Sequence, residues 1–308
     1  MILEYEYFKN TFNSKLFEDS YSDLIKKIAD NPERYIGLFR PTKPKTKLIQ
    51  NITQSHEIRF GDALEFIFER YFEKTGFLLQ EKRFREASGD DLSIDQLFSK
   101  GKTLYMIEQK VRDDHDSTKK KGQFDNFEKK YFALTQRFHQ YTIIPIMWFI
   151  DDSLKKNKNY YIQEMNKMEC DYQCTPYLFY GEEMFLQIDD FDNNIWNEIL
   201  NYLECWKKSL PDMPEINFDK NAKIVFDEIK DISPSVYRKL FANQEIVEQI
   251  FPIIFPEGVV LDMLKKYFQY KNQPIYLTLT RQIESTLGYK RFIHTQIKNS
   301  YIADALIS

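Results

Sequence analysis

The spacing of apolar residues changes several times along the chain, and each change marks an expected element. Ser22 to Ile28 follows helical spacing and is broken by Asp30, Asn31 and Pro32. Pro41 and Pro44 then punctuate an extended basic loop that carries Arg40, Lys43, Lys45 and Lys47. From about Ser55 to Lys74, the positions Ile58, Leu64, Ile67, Phe68, Tyr71 and Phe72 fit a 3.6-residue period. They predict a helix that ends at a Gly76 cap. The period then shortens. Phe77 to Leu79 and the Phe84 region read as strand, Gly89 to Asp91 as a turn, and Leu92 to Phe98 as a strand with mixed faces. Ser99 to Lys102 is a hairpin turn in which Gly101 can supply a positive φ, and Thr103 to Lys110 is the returning strand. Residues 122–138 predict an amphipathic helix. Thr142 to Ile150 is almost continuously apolar, as a strand covered on both faces would be. Tyr160 to Ile162 and Tyr177 to Tyr180 are further short strand candidates, and beyond Trp196 the pattern is mainly helical with frequent proline breaks.

Composition places this pattern in a globular chain of 308 residues, 43% hydrophobic and 29% charged, with a formal net charge of −4. Such a chain has ample material for a core, and a length that suggests two domains or one large domain with additions. A long disordered chain, a collagen-like chain and a coiled coil are excluded. The longest apolar runs, Ile143 to Ile150 and Ile250 to Phe255, fall far short of the roughly 20 residues of a membrane-spanning helix. The N-terminal residues lack a basic segment followed by an apolar stretch, so no secretory signal is expected. Cys170, Cys174 and Cys205 are read as reduced thiols of a cytoplasmic protein, with a zinc site as the lesser alternative. Positive charge clusters at Arg40 to Lys47, at Lys119 to Lys121, and from Lys265 through Arg281, Lys290 and Arg291 to Lys298. Any one cluster alone reads as solvated surface; several beside a carboxylate site carry more weight.

The carboxylates are Asp95 and Glu108, with Lys110 two residues further on. A strand period of 2 puts Glu108 and Lys110 on one face, and the turn lies midway between Asp95 and Glu108, which sets the two acids roughly opposite each other. Two carboxylates at the end of a hairpin offer hard oxygen ligands for Mg²⁺. A metal-bound water is a stronger nucleophile at neutral pH, and a neighbouring lysine can hold that water or offset charge on a phosphate. The plainer reading is an ordinary charged hairpin, but Leu104, Met106 and Ile107 make Glu108 emerge from an apolar strand, where a charge is costly. Glu65, one turn past Gly61 on the preceding helix, is a candidate third acid, or else an exposed residue pairing with its helix neighbours. Gly61 would allow the helix to approach the sheet closely. Asp62 rivals Glu65, and Asp90 and Asp91 rival Asp95 less strongly.

Asp95, Glu108-Gln109-Lys110 and the helix carrying Glu65 resemble the PD-(D/E)xK nuclease superfamily. The stretches Arg40 to Lys47, Gln54 to Glu65, Ile107 to Gln123 and Tyr180 to Glu183 resemble segments of type II restriction endonucleases, over roughly residues 35–190. Ile94 stands where the superfamily name has proline. The resemblance implies an α/β (α+β) fold with a restriction-endonuclease-like core, a mixed central sheet flanked by helices, and mainly helical N- and C-terminal regions. The expected division is residues 1–50, 51–205 as catalytic core, and 206–308 for DNA recognition or dimerisation. It also implies Mg²⁺-dependent hydrolysis of unmodified double-stranded DNA at specific sequences, leaving 5′-phosphates. Asp95 and Glu108 would hold the metal, Lys110 orient the attacking water, and Glu65 serve as an accessory acid. A homodimer is possible, and a cognate DNA methyltransferase is the implied functional partner.

Expected DNA contacts are Lys43, Lys45, Lys47, Arg59, Ser117, Thr118, Lys119, Lys121 and Gln123. Charged and hydroxyl side chains of this kind bind phosphates and position the duplex. Asp113, Asp114 and Asp116 are read as structural hydrogen-bond partners, and His115 as a polar loop residue or DNA contact. Thr280 to Ile293 has the form of a helix, a glycine turn and a helix, with helical packing or a dimer interface weighed ahead of a DNA-reading helix-turn-helix. Two other functions fit the same residues: a structure-specific or exonucleolytic repair nuclease, and an inactive DNA-binding module.

Overall fold

The computed structural model describes residues 1–18, 20–85, 89, 91–271 and 273–288. In chain order, the elements are α1 (Tyr5–Phe17), α2 (Ser20–Asp30), α3 (Glu33–Ile36), α4 (Pro44–Lys74), β1 (Leu78–Leu79), β2 (Arg83–Arg85), β3 (Asp91–Ser93), β4 (Gln96–Lys100), β5 (Thr103–Lys110), α5 (Ser117–Arg137), β6 (Thr142–Phe149), α6 (Lys158–Tyr172), β7 (Tyr177–Tyr180), α7 (Glu183–Gln187) and α8 (Asn193–Lys207). They continue with α9 (Ala222–Ile229), α10 (Pro234–Ala242), α11 (Gln244–Gln249), α12 (Phe251–Ile254), α13 (Val259–Lys271) and a last helix over 274–288. The chain forms two compact units, one of Met1–Lys15 with Ile58–Leu210 and one of Leu16–Glu57 with Pro211–Ser308. Each is assembled from separated stretches of sequence, whereas the expected division follows consecutive stretches.

The first unit is built on a five-stranded mixed sheet in the order β1-β4-β5-β6-β7. β1/β4 and β4/β5 are antiparallel, and β5/β6 and β6/β7 are parallel. This is the mixed sheet flanked by helices that the resemblance implies. β5 is central, and Leu104 to Gln109 are all buried. One face carries Leu97, Leu104, Met106, Met147 and Phe149 against Phe124, Phe127, Tyr131 and Leu134 of α5 and Met165 and Met168 of α6. On the other face, Phe68 and Phe72 of α4 meet Trp148 and Phe98 edge-on. Each such fully buried large side chain contributes about 1.5–3 kcal/mol. β6 is apolar from Ile143 onward and buried from Pro145, because a parallel strand with helices on both sides has no wet face along that stretch. Pro145 is tolerated within it because β7 pairs only from Ile146 onward.

The β4–β5 hairpin closes through Gly101 and Lys102 after the Lys100↔Thr103 pair, with Gly101 at φ 61°. Positive φ at the first of two loop residues matches the twist of the strands, and glycine supplies it without strain.

Several expected boundaries shift. α4 begins at Pro44 rather than near Ser55, so Lys45 and Lys47 are helical rather than in a loop. Proline is pre-set for a first helical turn, and Leu48 and Ile52 are buried. α5 begins at Ser117, five residues before residue 122, and the Asp116 side chain caps it by accepting from Lys119 N at 2.8 Å. Its first turns are polar all round, so apolar periodicity does not reveal them. Leu92 to Phe98 is two strands, because Ile94 and Asp95 interrupt it between β3, which pairs with β2, and β4. Tyr160 to Ile162 lies in α6, not in a strand; the aromatic pair favours strand locally, but Tyr161 packs into the core of this unit. A Cβ at Gly61 would lie 3.7 Å from Val111 Cγ2, an ordinary contact, so no close approach requires glycine there.

The second unit is helical where it is described. Leu24 and Ile28 of α2, Leu48 of α4, Val225 and Ile229 of α9, Leu240 of α10, Phe251 of α12, and Leu264 and Phe268 of α13 share one core. The helix over 274–288 includes Gly288, and the rest of the expected helix, glycine turn and helix, with Tyr289, Lys290, Arg291 and Lys298, lies outside the described residues, as does Asp90. Among the described residues no helix is long and apolar enough to cross a membrane. Cys170, Cys174 and Cys205 are free thiols.

Candidate active site

The hairpin register sets the centre of the site. Gln96 pairs with Ile107, so the next positions outward, Asp95 and Glu108, face each other at its open end. Asp95 is not part of β4. Its carboxylate takes the place of a ladder acceptor: Oδ2 accepts from Gln109 N at 2.9 Å. The same oxygen accepts from Lys110 Nζ at 2.6 Å. Lys110 Nζ also donates to Gln109 O at 3.1 Å and stands 3.7 Å from Glu108 Oε2. Three oxygens from Asp95, Gln109 and Glu108 thus surround one ammonium.

Two further lysines brace this arrangement. Lys130 of α5 donates to Glu108 Oε1 at 2.6 Å. Lys82 donates to the Asp95 carbonyl oxygen at 2.7 Å and pairs with Glu69 of α4. Neither was expected from sequence. Lys130 does carry a signal: Phe127, Lys130, Tyr131 and Leu134 share the i, i+3, i+4, i+7 spacing of a buried face, where a lone lysine needs a partner. Lys82 sits in a short polar connection with no comparable pattern.

The site gathers charges of both signs in a poorly solvated place. Burial, and then the Asp95 charge, push the Glu108 carboxyl above its ordinary range despite Lys110 and Lys130. Burial would lower the Lys110 ammonium, but Asp95 and Glu108 outweigh it and hold the group above its usual value. Glu65 is pushed up to about 8, first by burial and then by Asp95, against the pull of Lys82 and Lys110. Glu65 therefore senses both Asp95 and Lys110, while Asp62 is exposed. Its neighbours Glu69 and Arg70 pair elsewhere, with Lys82 and Glu73.

Among the described residues no three His, Cys, Asp or Glu side chains gather as a metal-binding group. Two carboxylates and a peptide oxygen facing one cation suit an ion that keeps several waters and takes other ligands from a phosphate, as Mg²⁺ does.

Asp113, Asp114 and Asp116 sit as expected in part. Asp113 is buried and accepts from Asn157 N and Nδ2 at 2.8 Å and from the Tyr180 hydroxyl at 2.9 Å. Asp116 is the α5 cap, and Asp114 is exposed. His115 lies 3.5 Å from Asp114, and burial followed by Lys119 lowers its pKa. Ser117, Thr118, Lys119 and Lys121 are exposed in the first turns of α5. Gln123 is turned toward α6, where its Oε1 accepts from the Tyr161 hydroxyl at 2.8 Å. Arg59 lies half-buried on the part of α4 that belongs to the first unit. Lys43, Lys45 and Lys47 belong to the second unit, with Lys47 bonded to Gln50 at 2.9 Å.

Residues 69–207, a little under half of the chain, match the model of the family described as "Type II restriction endonuclease, HinfI". No curated protein and no solved structure matches the chain. The matched segment contains Asp95, Glu108, Lys110, Lys82 and Lys130, and leaves Glu65, Arg59 and the Lys43 to Lys47 cluster outside it. Through this segment, which holds the whole β4–β5 hairpin, the chain is similar to the type II restriction endonucleases of that family.

Proposed function

We propose that the protein cuts unmodified double-stranded DNA at a specific sequence in a Mg²⁺-dependent hydrolysis that leaves 5′-phosphates. The observation that carries this reading is the convergence of Asp95 Oδ2, Gln109 O and Glu108 Oε2 on the Lys110 ammonium. Asp95 and Glu108 would hold the metal. Bound there, Mg²⁺ supplies the charge that makes water a competent nucleophile and stabilises the phosphate oxygens. Lys110 orients the attacking water and offsets charge on the scissile phosphate. Glu65 is the accessory acid of the same cluster.

Ser117, Thr118, Lys119 and Lys121 contact backbone phosphates from the first turns of α5, where helix N–H groups also favour an anion. Lys43, Lys45, Lys47 and Arg59 add sequence-independent affinity. Gln123 is the weaker candidate, since its carbonyl oxygen already serves Tyr161. The helical second unit serves DNA recognition or dimerisation. The enzyme works in the cytoplasm, and a cognate methyltransferase protects host DNA.

The test is incubation of the purified protein with unmethylated plasmid or phage DNA in Mg²⁺ and in EDTA, followed by sequencing of the ends. Discrete Mg²⁺-dependent fragments sharing an end sequence are expected. Progressive loss from ends would replace this reading with a repair exonuclease. Tight binding without cutting of several unmodified DNAs would replace it with a binding module.

A further inference from the structure

We propose that Lys130 is a positioning residue that fixes the Glu108 carboxylate so that one chosen oxygen faces the cation site. The proposal rests on the reading of Asp95 and Glu108 as metal ligands.

The two lysines on Glu108 divide its oxygens. Lys130 takes Oε1 at 2.6 Å, while Oε2 faces Lys110 at 3.7 Å. Their surroundings differ as much as their partners. The Lys130 side chain is 6% exposed and the Lys110 side chain 31%. Lys110 is open to water and substrate, whereas Lys130 lies within the packed face of α5 and touches neither. A lysine on such a face is a poor stabiliser, since an apolar side chain of similar volume often packs as well or better than a buried ion pair. Its presence is explained by what it does to Glu108. A carboxylate on a strand end can rotate about its terminal torsion, because that torsion is soft. A charge-assisted hydrogen bond from a lysine buried on the same helix face as Phe127, Tyr131 and Leu134 removes that freedom. Lys110 cannot serve in its place, because its ammonium is already bonded to Asp95 Oδ2 and Gln109 O, and its role requires it to move with water and phosphate. The placement of the two elements allows this contact, since α5 packs on the sheet face that carries Met106, two residues before Glu108 on the same side of β5.

The test uses the full chain with Lys130→Met and Lys130→Gln. Circular dichroism establishes folding, Mn²⁺ binding without DNA is measured by titration calorimetry, and cleavage is followed against Mg²⁺ concentration. Wild-type protein is expected to bind Mn²⁺ and to cut. Lys130→Met is expected to fold, to bind Mn²⁺ about tenfold more weakly, and to need about tenfold more Mg²⁺ for half-maximal cutting, with DNA affinity in EDTA unchanged. Lys130→Gln keeps a donor without the apolar contact, and carries the test if the Met variant does not fold; a loss of several-fold is expected. Wild-type Mn²⁺ affinity and Mg²⁺ dependence in a folded variant would overturn the role of Lys130 and leave the active-site reading standing. Absence of Mn²⁺ binding and of cutting in the wild-type protein would overturn both.

Discussion

Lys110 Nζ lies 2.6 Å from Asp95 Oδ2, so the lysine of the returning strand neutralises the acid across the hairpin. The same Asp95 oxygen accepts from Gln109 N, which makes Asp95 both a site carboxylate and the closure of the hairpin's open end. Asp95→Ala, Glu108→Ala and Lys110→Ala should each lower cutting by at least about 10²- to 10³-fold, the loss typical when a preorganised electrostatic group is removed. Asp95→Ala should also cost about 1–3 kcal/mol of stability, because Gln109 N loses its acceptor. Plasmid cleavage and thermal melts measure the two effects separately. Full cutting by Asp95→Ala would show that another acid holds the metal.

Glu65 gives the site a pH dependence. Its carboxyl is raised to about 8 by burial and by Asp95. Its folded pKa therefore lies above its unfolded value, near 4.3 in peptides. The proton bound in the folded state contributes stability that is fully present below about 4.3 and is lost as pH rises through about 8. Thermal melts of the metal-free protein should therefore fall across that window, and Glu65→Gln should reduce the fall. A cation binding beside Glu65 must compete with that proton, so Mg²⁺ affinity should rise between pH 6 and 8 and the rise should be smaller in Glu65→Gln. A pH-independent difference between the two proteins would remove Glu65 from the site.

Much of this site is legible in the sequence because a hairpin is a local object. Its turn is marked by Gly101, and strand alternation places Glu108 and Lys110 on one side. The braces are less legible because they are tertiary. Lys82 reaches the Asp95 carbonyl from a connection without periodicity, and Lys130, on α5, is 22 residues from Glu108 in sequence. Element starts fail for a related reason. The first turns of α4 and α5 are set by Pro44 and by the Asp116 cap, while apolar periodicity reports only where a helix becomes buried. The aromatic Tyr160 and Tyr161 show the opposite case, a local strand preference overridden by packing in α6.

The exposed start of α5 supports a prediction about affinity. Lys119 lies in the first turn, and its backbone N–H is held by the Asp116 cap. Lys119→Ala should weaken binding to all duplex sequences alike and reduce the slope of log affinity against log salt by about 1. Fluorescence anisotropy in Ca²⁺ at several salt concentrations measures this. A change in sequence preference instead would mean that Lys119 reads bases.

Asp113 is the acid of this region whose role is architectural. It is fully buried and accepts from Asn157 N, Asn157 Nδ2 and the Tyr180 hydroxyl, so it ties the segment after β5 to the start of α6 and the end of β7. Asp113→Ala leaves Asn157 N and the Tyr180 hydroxyl without an acceptor, each costing about 1–3 kcal/mol when unpaired, while Asn157 Nδ2 keeps only its bond to the His115 carbonyl oxygen. The expected loss is about 3 kcal/mol or more, read as a lower denaturation midpoint with an unchanged slope. Asp113→Asn keeps one acceptor oxygen and should lose less. Because Asp113 follows Lys110 by three residues, both variants should also cut more slowly at temperatures where they remain folded, with the Mg²⁺ requirement little changed. A large shift in Mg²⁺ requirement without loss of stability would place Asp113 among the metal-holding acids instead.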